Sequence, residues 1–231
     1  MLVSSKLIIK RFEGSIMGSK ILTGWMLVIG PILAVIMLFI EPGGTTEEAS
    51  FSQTAQNLLE STTLGGITAI GWTIAALAIT IGTVYLARSM QGEEKPGSDL
   101  AGLAAILALL SAGIVAVDHG LHGAVFASGW TKQGGDAANA LAIGEAIFRG
   151  MFTFMAASSL LLGIAIFLQK NLNQIAGIIT AVMGALLLFG WILPFENEAL
   201  DFVGFIGFLG WPIMTIVLGI LTILSSKKDA K

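Results

Sequence analysis

Long apolar stretches separated by short polar breaks run the length of the chain, and their lengths set the architecture. An α-helix needs about 20 mostly apolar residues to cross a bilayer. Six stretches meet that requirement: roughly 21–40, 64–87, 100–128, 140–168, 172–193 and 202–225. The breaks carry residues that stop or start helices. Glu41-Pro42-Gly43-Gly44 closes the first stretch, and Glu93-Glu94-Lys95-Pro96-Gly97 follows the second, with Ser98 or Asp99 placed to cap the third. Gly134-Gly135-Asp136 separates the third from the fourth, Lys170-Asn171 turns into the fifth, Pro194 ends the fifth and Lys227-Lys228 ends the sixth. The pattern predicts an all-α fold, an integral membrane bundle of six transmembrane helices over 20–226. A cytoplasmic N-terminal segment, 1–19, and a cytoplasmic tail, 227–231, flank it. Residues 1–16 read as a short surface helix, with Met17 as an alternative natural start.

Lys and Arg then orient the spans, because cytoplasmic loops carry the excess of basic residues. With the N-terminus inside, Lys6, Lys10, Arg11, Lys20, Arg88, Lys95, Lys170, Lys227, Lys228 and Lys231 are cytoplasmic, and Lys132 is outside. Both termini are therefore expected in the cytoplasm of a prokaryotic cell. The longest outer loop, 41–63, contains Phe51, Ala55, Leu58 and Leu59 on one helical face. It reads as a short amphipathic helix, either on the membrane surface or packed on the rim of the bundle.

Small residues recur at helical spacing: Gly177, Ala181 and Ala185 in the fifth span, Gly204, Gly207 and Gly210 in the sixth, Gly65, Thr68 and Gly71 in the second. Such rows let membrane helices approach closely. The second and sixth spans both continue into Gly-Trp, at Trp72 and Trp211, a faint internal repeat. Pro31 and Pro212 are expected to kink their helices. The five tryptophans read as interface anchors and packing groups rather than a ligand cage.

Composition agrees with a membrane protein. The 231 residues are 55% hydrophobic and 12% charged, against about 25% charged in soluble domains. Without cysteine, disulfides, thiolate metal sites and catalytic thiols are excluded. A net charge of −3 gives no reason to expect a nucleic-acid partner. The expected partners are the lipid bilayer and, in a scaffold role, other membrane-protein subunits. No cofactor is predicted.

Two groups of ionisable residues interrupt the third and fourth spans: Asp118, His119 and His122 in one, Glu145 and Arg149 in the other. Ionisable groups are costly in hydrocarbon, so those that persist are paired or functional. Asp118 and His122 share a helix face at i,i+4, as do Glu145 and Arg149. If the turn centres near Lys132–Gly134, Asp118 lies level with Arg149, near mid-membrane, and His122 with Glu145. The leading reading is a structural clamp of two ion-pair rungs across the hairpin. The second is a proton or ion relay. The third is a metal site from Asp118, His119, His122 and Glu145, a weak pattern for only two histidines. No nucleophile elbow or phosphate loop appears, so no catalytic residue is expected.

Thr23-Gly24-Trp25-Met26-Leu27, Gln53-Thr54-Ala55-Gln56-Asn57-Leu58 and Val84-Tyr85-Leu86 resemble segments of an uncharacterised six-helix membrane family of bacteria and archaea, the DUF4386-like group. The resemblance implies architecture and prokaryotic origin, not an activity. The expected function is a non-enzymatic accessory, scaffold or binding protein. A small transporter or proton-conducting protein using Asp118, His122, Glu145 and Arg149 is the alternative, and a membrane metalloprotein the third reading.

Overall fold

A computed structural model describes residues 20–42, 50–126, 137–192 and 198–229. The expected N-terminal surface helix, Trp130, Lys132 and the last two residues of the tail lie outside the described residues, as do the side chains of His119 and His122. The described chain is helical throughout its regular elements: α1 (Lys20–Ile40), α2 (Phe51–Glu60), α3 (Thr62–Ser89), α4 (Ser98–Phe126), α5 (Ala137–Gln169), α6 (Gln174–Leu187) and α7 (Glu198–Asp229).

Among the described residues, five helices are long and apolar enough to cross a membrane: Lys20–Ile40, Thr62–Ser89, Ser98–Asp118, Ala137–Gln169 and Phe202–Lys227. The stretch expected as the fifth span is shorter. Its 14-residue α6 runs into a five-residue π-helical turn, Leu188–Ile192. At ~1.5 Å of rise per residue the two together are roughly 28 Å long.

The helix ends follow local chemistry. Ser50 caps α2, its Oγ accepting from Gln53 N at 3.3 Å. Asn173 caps α6, its Oδ1 accepting from Ile175 N and Ala176 N at 2.9 and 3.2 Å. These bonds satisfy amides that have no partner in the first turn. Lys170 adopts φ 56° in the turn before α6, and Gly97 φ 74° before α4. Inside the apolar helices, buried threonines donate to their own backbone four residues back, as Thr80 does to Ala76 O and Thr180 to Ala176 O. That bond lets a hydroxyl sit in an apolar helix without a cross-helix partner.

Six helices form a closed ring. α1 packs on α3, α3 on α4, α4 on α5, α5 on α6, α6 on α7, and α7 returns to α1. The outward faces are apolar. Exposed Ile29, Ile32 and Ile36 on α1, Ile67, Ile70 and Ile74 on α3, and Ile175, Ile178 and Val182 on α6 recur at helical spacing. Water would not tolerate such a continuous apolar belt, and hydrocarbon does. The chain is built as a helical membrane protein.

Small residues close the ring where they were expected, with one change. A Cβ on Gly163 of α5 would overlap the backbone of Gly177 and Ala181 in α6, and a Cβ on Gly184 would overlap Leu160 N and Ala156 O. The contact row on α6 is therefore Gly177, Ala181 and Gly184, with Gly184 in place of the expected Ala185. On α7, Gly207 meets the backbone of Leu187 and Gly210 meets Met183.

The buried core falls into three clusters along the ring. Leu27, Met90, Ala101, Leu162, Ala176 and Met214 belong to one buried cluster to which all six ring helices contribute. It lies toward the end marked by Lys20, Arg88, Lys170 and Lys227. At the opposite end α2 lies on the rim, with Ala55 and Leu58 buried against Val125, Ala140 and Leu141. Between the two lies a third buried cluster that includes Ile79, Val115, Phe152, Met155, Leu187 and Trp211, and beside it the ring leaves a space unfilled.

A candidate ligand cavity

The unfilled part of the ring is a cavity of about 420 Å³, within the size range of small-molecule sites. α1 supplies Pro31, Ala34, Val35 and Leu38 to its wall, and α2 supplies Phe51 and Thr54. α3 adds Ala69, Trp72 and Ile79, and α7 adds Phe208, Leu209, Trp211 and Pro212. Asp118 comes from α4, and Leu141, Glu145, Phe148 and Phe152 from α5. Val35, Leu38, Phe51 and Leu209 are also exposed, so the cavity opens through its side.

Ring contacts hold one wall together. The Phe148 and Phe152 rings meet edge to face with centroids 4.9 Å apart; Phe152 then meets Phe208 at 5.8 Å and Trp211 at 6.1 Å. Edge-to-face geometry suits the ring quadrupoles. Both lining indoles have their N–H groups engaged. Trp72 Nε1 donates to Glu41 Oε2 and Trp211 Nε1 to Ser159 Oγ, each at 3.0 Å. The indoles are thereby fixed in place and offer the cavity ring surface.

The two Gly-Trp pairs acquire a physical meaning here. A Cβ on Gly71 would overlap Met37 of α1, and a Cβ on Gly210 would overlap Met183 of α6. In each pair the glycine seats a methionine from the neighbouring helix and the next residue lines the cavity. Sequence reading noticed the repeat without giving it this role. The aromatic wall and Glu41 were missed altogether, because at helical spacing an inward-facing Phe or Trp looks the same whether it meets a neighbour or a void.

Of the five expected site residues, Asp118, Glu145 and Arg149 have described side chains. Asp118 is buried, 3% exposed, and lines the cavity. Glu145 also lines it and is exposed, at the cavity edge. Arg149 is exposed and does not line it. The side chains of His119 and His122 fall outside the description, so the His122–Glu145 rung does too. Among the described residues no three His, Asp or Glu side chains are grouped to hold a metal ion.

The clamp reading needed Arg149 level with Asp118. Two hydrogen bonds give the hairpin a different register. Ser111 Oγ donates to Met151 O at 3.2 Å, and Ser158 Oγ donates to Ala104 O at 2.8 Å. Extended along the antiparallel pair, this register sets Asp118 level with Gly144, beside Glu145, and Arg149 level with Gly113, about 7.5 Å of helix away. The expected register assumed a turn near Lys132–Gly134. Two serine hydroxyls reaching across to backbone carbonyls tie α4 to α5. Asp118 also stands about 30 Å of helix from Ser98, in the half of the ring nearer α2.

No protein-family model, curated protein or solved structure matches this chain.

Proposed function

We propose that this protein is a non-enzymatic, multi-pass binding protein of a prokaryotic cell membrane, and that its ring of helices holds a small lipophilic molecule. In this reading α6 with its π-helical turn is the remaining span, giving six, and the basic end of the ring faces the cytoplasm. The cavity then lies in the outer half of the membrane, with α2 at its outer end. The observation that carries the reading is a wall dominated by apolar and aromatic side chains, with a few polar groups, opening through the side of the bundle. Such a wall is what a ligand arriving from lipid requires.

Transport is the weaker alternative. The same acidic groups line the cavity, but passage toward the basic end would require the cluster around Leu27, Met90, Leu162 and Met214 to come apart. Binding needs no such rearrangement.

The test is purification from native membranes in a mild detergent, with mass spectrometry of both protein chains and extractable small molecules. The expected result is a lipophilic molecule released on denaturation in near-stoichiometric amount. Stable partner chains with no such molecule would replace this reading with the scaffold role.

A further inference from the structure

The cavity is longer than it is wide. Its wall runs from Ala69 to Ile79 on α3 and from Leu141 to Phe152 on α5, each roughly 15 Å of helix. A volume of about 420 Å³ spread over that length leaves a space roughly 5 Å across. Its two ends differ in polarity. Pro31, Ile79, Phe152, Trp211 and Pro212 line the deep end, and all are apolar or aromatic. The polar lining groups, Glu41, Thr54, Asp118 and Glu145, fall in the half toward α2.

The side opening also has a definite place. α1 and α7 meet backbone to backbone at Gly24 and Gly219, where a Cβ on either would overlap the carbonyl oxygen of the other. Seven residues further toward α2 on each helix stand Pro31 and Pro212, level with one another in this antiparallel pair. Proline removes a backbone hydrogen bond and marks where a helix bends. Beyond the prolines each helix is seated on its other neighbour. Met37 of α1 packs against Gly71 of α3, while Gly207 and Gly210 of α7 pack against Leu187 and Met183 of α6. Between them, Val35 and Leu38 of α1 and Leu209 of α7 both line the cavity and are exposed.

We infer that the cavity holds one hydrocarbon chain of a membrane lipid, admitted sideways through the seam between α1 and α7. This rests on the ligand-binding reading above and specifies its ligand and route. The chain end lies among Ile79, Phe152 and Trp211, and the polar end of the lipid stays at the α2 rim beside Thr54. A lipid in the surrounding leaflet already has that orientation, with its polar end at the interface and its chain end in mid-membrane. It crosses the seam without turning over, past side chains that are themselves hydrocarbon. A bulky ring system does not match so narrow a space.

The probe is a phosphatidylcholine with a photoactivated diazirine at the end of one acyl chain. Full-length protein is reconstituted into phosphatidylcholine vesicles containing it, irradiated, digested and mapped by mass spectrometry. Surrounding lipid labels the outward belt, which includes the exposed Ile70 and Ile175. A chain in the cavity also labels Phe152 and Trp211, which are only 7% and 8% exposed. The protein has no cysteine, so Val35→Cys with Leu209→Cys lets a bifunctional thiol reagent bridge the seam before the probe lipid is added. Bridging should abolish the Phe152 and Trp211 adducts and leave those of the belt. Should the bridge not form, Val35→Trp with Leu209→Trp, both at exposed positions, blocks the seam in its place. Labelling confined to the belt in the unmodified protein overturns the chain assignment. Deep adducts that persist behind a blocked seam overturn the route. The ligand-binding reading is judged separately, by what purified protein releases on denaturation: a lipophilic molecule without an acyl chain keeps that reading and removes this one.

Discussion

Adding one methyl group at Gly163 should loosen the ring that shapes the cavity. A Cβ there would overlap Ala181 N and Gly177 O. Both are helix backbone atoms and cannot rotate away as the end of a flexible side chain could. α5 and α6 must then separate or shift along one another. Overpacking of this kind costs ~1–3 kcal/mol, against a gain of at most ~1 kcal/mol from replacing Gly by Ala in a helix. Gly163→Ala should therefore be destabilising. Gly66 in α3 and Gly113 in α4 supply the control, because a Cβ at either meets nothing within 4 Å. Gly66→Ala and Gly113→Ala should be neutral or slightly stabilising. Equilibrium unfolding in mixed micelles of mild detergent and SDS, followed by helical circular dichroism, would measure all three. If Gly163→Ala were as benign as Gly66→Ala, the close α5–α6 contact would be wrong, and with it the placement of Glu145, Phe148 and Phe152 around the cavity.

Two further expectations follow from the same structure. Cysteines replacing Thr46 and Gln133 should react with an impermeant thiol reagent in intact cells, and one replacing Glu93 should not; the reverse pattern would invert the orientation derived from the basic residues. Ser159→Ala removes the acceptor of the buried Trp211 N–H and should cost ~1–3 kcal/mol by leaving that donor unsatisfied, with a matching fall in thermal stability; no change would mean the indole is not held this way.

The legible part of the fold was what periodicity and length encode. Apolar runs, Pro42, Gly97 and Asn171 marked the helices closely, and the 51–59 segment was recognisable as a helix with one apolar face. The Gly207 and Gly210 row was visible because small residues at helical spacing have few other uses in membrane helices. Ring closure was not legible, since nothing local to α1 or α7 says that they meet. The α4–α5 register was misjudged for a physical reason. Charges attract attention in an apolar helix, whereas Ser111 and Ser158, which tie the hairpin together, look like ordinary small residues. Asp118 and Glu145 were singled out from sequence, and both line the cavity. Their aromatic surroundings were not foreseen, because Phe152 and Trp211 each fit a packed core equally well.

The most direct test of the central claim asks whether the bound molecule occupies this cavity. Ala69 lines it, and Ala69→Phe would place a ring in the space. Equal amounts of wild-type and Ala69→Phe protein, purified from the same native membranes, would be denatured and their released small molecules quantified by mass spectrometry. The account predicts a lipophilic molecule near one equivalent in the wild type and its loss from a folded Ala69→Phe variant. The same molecule in equal amount from both proteins would contradict it.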